Sequence, residues 1–545
     1  MSSAMGTGAR GGYEPMMAAI RDATTGRAPD TTGQPARFAL ILKPAQDPVD
    51  RAAAIAAALA PVGAQVAPLS ALDPQVLVVE LADRTLTGDS AAAFAAAHAL
   101  EDAFDLEAAE PDLPTDFFPE PPPGDPTLRS ASFPLGCRAP REDALDQTPQ
   151  WALDAMRVPQ AWAFSEAQQR PDRGAGVIVA QPDTGITRHV ELDGIQSVPG
   201  FDVLDNDPDP TDPLVGDPGD NPGHGTATAS VLVSLSPGRV TGSAPRAQHM
   251  AIRAIESVIR VTQVSVARAV DWAVEHGAHV ITMSLGGLPG LSLFRALQRA
   301  VQADVIVLAA AGNCVGTVVW PARFDDCIAV AGVDVRDARW RGSCHGPAVD
   351  ISAPGENVFN ATVPTGSDQG QGTSFSVALT AGVAALWLAH HGRANLIAAA
   401  RARGETLQVM FRRLVGATAR RPAGWDPGDM GAGIVDAQAL LAADLGLRSD
   451  RAAMQAPSDP RDATARSVES LVVEILGPEA TRQESVDWYR HGPEIAAVLL
   501  RQRLNTPPPD AGPLPRTLPM APAVSPELAQ AVTSPLLRAG LGLEP

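Results

Sequence analysis

Between residues 36 and 110, apolar runs of strand length alternate with stretches of helical period. Phe38–Lys43 is a short apolar run, and Val49–Leu59 is rich in alanine with helical spacing. Val76–Leu81 reads as a strand and Ser90–Phe104 again as a helix. A β-α-β-α succession on this scale predicts a small α+β module. From Trp151 the alternation resumes at greater length. Strands are predicted at Val177–Ala180, Ala247–Ile255, Val280–Ser284, Val305–Ala311 and Cys327–Val333, and helices at Val264–His276, Leu291–Ala303 and Phe375–His390. Apolar strands separated by helices imply a parallel sheet covered on both faces, an α/β fold. Right-handed crossovers gather the connecting loops along one sheet edge.

The remaining segments lack this pattern. Residues 1–35 carry Gly, Ala, Thr and Arg without periodicity and read as a flexible tail. Residues 111–149 hold the proline cluster PEPPPGDP, which excludes helix interior and central strand, and read as a linker. The α/β unit spans residues 150–445 and closes with the segment Gly424–Leu441. Residues 446–545 follow as a helical and proline-rich extension, with helices predicted at Ala463–Leu476 and Glu484–Leu504, a proline-rich stretch TPPPDAGPLP, and a last short helix.

Composition narrows the classes. With 545 residues, 45% hydrophobic and 19% charged, the chain is long enough for two or three domains and apolar enough for a large core. Its 62 acidic and 42 basic residues give a formal net charge of -20, against nucleic acid or an anionic membrane as partner. Lys43 is the only lysine, a bias without a functional explanation. No run approaches ~20 uninterrupted apolar residues, so no membrane span is expected. The first residues show no apolar signal-peptide core, so the expected location is the cytoplasm, or the exterior by a non-standard route.

Three short motifs carry the chemistry: Asp183 in PDTG, His224 in GHGT and Ser374 in GTSF. A serine hydroxyl is a weak nucleophile at neutral pH and needs an imidazole to take its proton, and that imidazole needs a carboxylate to hold its tautomer. The chain has ten histidines, and only the G-H-G-T surroundings single out His224. The order Asp, His, Ser is that of subtilisin and not of chymotrypsin or the α/β-hydrolases. The chain resembles the subtilisin-like serine peptidases. The resemblance covers about residues 150–445 and implies a subtilisin-like parallel sheet with Asp183, His224 and Ser374 as the triad. Asn313, in AAAGN, matches the family's oxyanion asparagine.

Two departures from the family pattern stand out. Gln181-Pro182 replaces the usual apolar pair before the aspartate, and the proline predicts a strand that stops one residue early. Ala378 stands where the family has a proline four residues after the serine, which alters the helix start and removes no reacting atom. The 36–110 module resembles the inhibitory propeptides of these peptidases in topology. The resemblance thus implies a zymogen whose own N-terminal module is an intramolecular inhibitor, cut before about Gln150.

The resemblance also implies peptide or protein substrates, laid as an added strand along Ser284-Leu285-Gly286-Gly287. The resemblance places the far wall of the P1 pocket near Gly312 and Val315–Trp320, an apolar loop that points to a preference for apolar P1 residues. No organic cofactor is required. The loop FDVLDNDPDPTD, with Asp202, Asp205, Asp207 and Asp209, resembles a calcium loop of thermitase-like members, the alternative being a solvated loop of Asx-turns. Cys314 and Cys327 flank a short irregular segment and either bridge it or remain buried thiols, with Cys137 and Cys344 unassigned. One alternative of another class is a protease-like regulatory or binding protein with a permanently covered cleft. A sedolisin-type acid peptidase is a further one, but it lacks the histidine base, and GHGT speaks against it.

Overall fold

Apolar strands that must hide both faces need helices above and below, and that demand organises the structure of residues 150–445. The computed structural model describes residues 36–81, 90–113, 148–215, 221–258, 261–446, 459–482, 484–505 and 524–544. The predicted tail, most of the linker with its processing region, Cys137 and the TPPPDAGPLP stretch lie outside the described residues.

The N-terminal module contains strands β1 (Ala36–Ile41), β2 (Gln65–Pro68), β3 (Val76–Leu81) and β4 (Ala108–Pro111), with helices α1 (Pro48–Leu59) and α2 (Ser90–Phe104). The sheet order is β2-β3-β1-β4, antiparallel throughout. β2 is largely exposed and β4 has only four residues, so neither advertises itself by apolar alternation.

The large sheet is parallel. Its strands are β5 (Ile178–Asp183), β6 (Gln196–Ser197), β7 (Phe201–Asp202), β8 (Gln248–Arg253), β9 (Val280–Met283), β10 (Ile306–Ala310), β11 (Ile328–Val333) and β12 (Ile351–Pro354). They run in the order β12-β11-β10-β9-β5-β8-β6, with β7 beside β8. The helices that matter for the site are α3 (His224–Val233), α4 (Gln263–Glu275), α5 (Leu291–Gln302) and α6 (Thr373–His391). α6 is long and apolar enough to cross a bilayer by those measures alone, and its most apolar window is wholly buried inside the protein. It is a core helix of the sheet layer.

Pro182 does not end its strand early. β5 continues through Pro182↔Ile252 to Asp183↔Arg253. The Ile178 carbonyl accepts from His279 N–H, so even-numbered positions of β5 face β9. Pairing with β9 stops at Ala180↔Ile281, so the N–H that proline lacks has no ladder partner to lose.

The C-terminal extension supplies α7 (Pro460–Leu476), α8 (Trp488–Asn505) and two short helices, Pro526–Ala531 and Pro535–Gly540. Its apolar side does not face solvent. Val468, Leu471, Ile495 and Leu499 share one continuous core with Ile41 and Phe94 of the module and Val264 and Phe294 of the large unit.

Candidate active site

Asp183 ends β5 at the loop edge of the sheet and His224 opens α3, so two neighbouring elements deliver the two side chains. Their loops interlock through glycine. A Cβ on Gly225 would lie 2.0 Å from the Gly185 carbonyl oxygen, so the DTG and GHGT turns approach as only bare backbone can. His224 Nδ1 lies 2.8 Å from Asp183 Oδ1. The same oxygen accepts from Thr184 N–H at 2.8 Å, and Oδ2 accepts from the Thr228 hydroxyl at 3.1 Å. These donors fix the carboxylate, and the carboxylate fixes Nδ1 as the protonated nitrogen, leaving Nε2 to accept a proton.

Ser374 sits in the first turn of α6, behind Gly372 and Thr373. His224, Ser374 and Asn313 line one cavity of about 560 Å³. The Ser374 hydroxyl donates to the Ser284 carbonyl at 3.5 Å and makes no hydrogen bond to His224. Such a long contact is readily exchanged when a substrate enters. Thr373 donates to Asn313 Oδ1 from its N–H at 3.0 Å and its hydroxyl at 2.9 Å. Both partners are donors, so the amide presents Oδ1 to them and its NH₂ is left for another acceptor.

Ser284, Leu285, Gly286 and Gly312 line the same cavity, whereas Gly287 does not. Gly287 instead donates to the Trp320 carbonyl at 2.6 Å, tying the strip to the pocket wall. Val258, Val315 and Val319 add apolar surface. Arg503 of α8 donates to the Val315 and Gly316 carbonyls at 3.1 and 3.2 Å, so the C-terminal extension braces that wall.

Several supporting residues escaped the sequence reading. Asp212 Oδ2 accepts from the Thr184 hydroxyl at 2.7 Å and from Gly223 N–H at 2.9 Å, pinning both turns. Buried Gln181 donates to Thr228 at 2.7 Å and to the Gly225 carbonyl at 2.9 Å, and its Oε1 lies 2.8 Å from His249 Nε2. A glutamine amid apolar strand positions was the one visible signal.

Asp202, Asp205, Asp207 and Asp209 share one loop, and their carboxylates have partners within the protein. Arg253 lies 2.6 Å from both Asp202 and Asp205, one guanidinium between two carboxylates. Asp207 and Asp209 turn their carboxylates to the backbone N–H of Asp209 and Thr211 in Asx-turns. Cys314 is disulfide-bonded, while Cys327 is free and buried, so the bridge between these two does not form. Cys327 leads into the fully buried β11 and its thiol packs in the core.

Comparisons with known proteins place the chain in a family. A model described as the subtilase family matches residues 174–426. Thermitase of Thermoactinomyces vulgaris is 35% identical over 250 residues, 45% of this chain and 83% of that protein. The thermostable alkaline protease of Halalkalibacterium halodurans is 34% identical over 238 residues, 43% of this chain and 63% of that protein. Fervidolysin from Fervidobacterium pennivorans, titled a keratinolytic enzyme related to subtilisin, shares the fold with a TM-score of 0.54 at 23% identity, covering 77% of this chain and 63% of that one. The chain belongs to the subtilase family of subtilisin-like serine peptidases.

Proposed function

We propose that this chain is an endopeptidase that hydrolyses peptide bonds through an acyl-enzyme on Ser374. The observation that carries the reading is one cavity walled by Ser374, His224 and Asn313, with Asp183 bonded to the far side of the imidazole. Ser374 Oγ attacks the scissile carbonyl while His224 Nε2 takes its proton. The oxyanion accepts from the Asn313 amide and the Ser374 backbone N–H. As the C–N bond breaks, His224 returns the proton to the leaving amine, and water then releases the acyl group by the same route. The substrate backbone lies along Ser284–Gly286, and Val258, Val315 and Val319 favour an apolar P1 side chain. No organic cofactor enters these steps.

The module of residues 36–113 acts as an intramolecular inhibitor in this reading. Its support lies in how it docks. Neither α4 nor α5 has a side-chain cap of its own at the N-terminus. The module supplies both: Glu110 accepts from Leu291 N–H, Ser292 N–H and the Ser292 hydroxyl at 2.6 to 2.9 Å, and Asp112 accepts from Val264 N–H at 3.0 Å. Carboxylates there meet the positive helix ends.

A fluorophosphonate probe is expected to label the chain but not Ser374→Ala. Equal labelling of both would overturn the assignment. Asp183→Asn is expected to lower kcat by about 10⁴-fold, because the imidazole loses its correct tautomer. A permanently covered, non-proteolytic cleft is the second reading, favoured by the contacts α8 makes with both the module and the pocket wall. A cut between the module and Trp151 in the purified chain, absent in Ser374→Ala, decides for the peptidase.

A further inference from the structure

His98 on α2 and His491 and Glu494 on α8 meet where the N-terminal module touches the C-terminal extension. All three are buried, His98 to 1% exposure and Glu494 to 1%. One donor atom from each lies within 4.8 Å of the others, the one such convergence of His, Cys, Asp and Glu among the described residues. The imidazole rings stand edge to face with centroids 4.9 Å apart, and His98 Nε2 is 3.8 Å from Glu494 Oε2. Both nitrogens of His98 and Nδ1 of His491 have no hydrogen-bond partner. Buried imidazole nitrogens left unpaired are costly, and a missing ligand is the simplest remedy.

We infer that His98, His491 and Glu494 form a binding site for a divalent transition metal of the zinc class, which links the N-terminal module to the C-terminal helices. Two imidazoles and one carboxylate are the donor set of an open zinc site, whose fourth position is left to a water. Calcium wants six to eight oxygens, which the site lacks. His491 and Glu494 stand three residues apart on one helix and so share a face. The carboxylate is already oriented: Glu494 accepts from Ser525 N–H at 2.5 Å and from the Ser525 hydroxyl at 2.8 Å. Outer partners of this kind fix ligating side chains. Glu101, one turn beyond His98, pairs one carboxylate oxygen with Arg490 at 2.8 Å and keeps the other without a hydrogen-bond partner.

Loading with zinc alone tests the site. The full chain, untagged and carrying Ser374→Ala to keep it uncut, is incubated with zinc sulfate, gel-filtered and assayed for metal. About one zinc per chain is expected, with retention lost in His98→Gln and Glu494→Gln and kept in the exposed control His276→Gln. Equal retention in parent, His98→Gln and Glu494→Gln, or none in the parent, would overturn the proposal. Should the ligand variants misfold, Ser525→Ala touches no imidazole and is expected to weaken zinc binding by ~10–100-fold; unchanged affinity there also overturns it. Hydrogen exchange over residues 90–104 and 488–505 should slow on zinc addition in the parent alone. The metal readout is independent of proteolysis, so probe labelling at Ser374 can fail while zinc binds, and the reverse.

Discussion

A glutamine buried in a central strand must have all its hydrogen-bonding atoms satisfied, and Gln181 does this by joining α3, Asp183 and His249 into one network. His249 is fully buried beside it, and burial pushes its pKa down to about 4, against the opposing pull of the Asp183 carboxylate. A histidine whose folded pKa is depressed binds fewer protons folded than unfolded between about pH 4 and 6.5. Its contribution is complete above pH 6.5 and is lost as pH falls towards 4, at about 1.4 kcal/mol per pH unit. Urea unfolding of the Ser374→Ala chain at pH 7, 6 and 5 should show this loss, with a shallower slope when His249→Gln is added. Identical slopes would mean that the imidazole is already protonated or accessible in the folded state. Gln181→Leu leaves His249 Nε2 without its partner, while Thr228 keeps its bond to Asp183, and should destabilise by about 1–3 kcal/mol, measured by the same unfolding series.

At the scale of elements, what the sequence made legible was what periodicity and motif express. The predicted strands and helices of the large unit lie within a few residues of β5, β8 to β11 and α4 to α6. Two-residue strands such as β6 have no period to detect, and β12 is a four-residue run. The site's reacting groups were legible because their glycine surroundings are dictated by close backbone approach, as at Gly225. Its supports were not, because Asp212 and His249 act through tertiary partners that leave no local pattern. The same holds for Glu110 and Asp112, which look like ordinary acids beside a proline and serve as caps on helices far along the chain. Glu110→Ala would leave Leu291 and Ser292 N–H without a cap, a loss of about 1–3 kcal/mol. In the Ser374→Ala chain, hydrogen exchange over residues 36–111 should then accelerate by about 10-fold or more, since each 1.4 kcal/mol is tenfold. Unchanged protection would assign the docking to the apolar contacts and to the remaining polar ones, Asp112 on Val264 and Asp73 on Arg295.

Across the whole molecule, the C-terminal extension holds the other two units together. Arg490 of α8 lies 2.8 Å from Glu101 and 2.9 Å from Asp102 on α2 of the module, and Arg501 donates to Ser90 at 2.9 Å. On the other side, Arg323 of the large unit reaches Glu474 of α7 at 2.6 Å, largely buried, and Trp320 donates to Ser467. Apolar surface fills the space between, since residues of all three segments belong to one core. A single backbone cut in residues 114–147 therefore removes one covalent link and leaves the helix caps, the Arg490 contacts and the shared core in place. The module should co-elute with the rest of the chain on gel filtration after such a cut, and mass spectrometry of the peak should find both pieces. Raising salt weakens the partly exposed Arg490 pairs but not the apolar core. Release is therefore expected to need mild denaturant, or a second cleavage within the module, more than ionic strength. A module that leaves in dilute buffer at moderate salt would show that the extension does not retain it, and that α8 only braces the pocket wall.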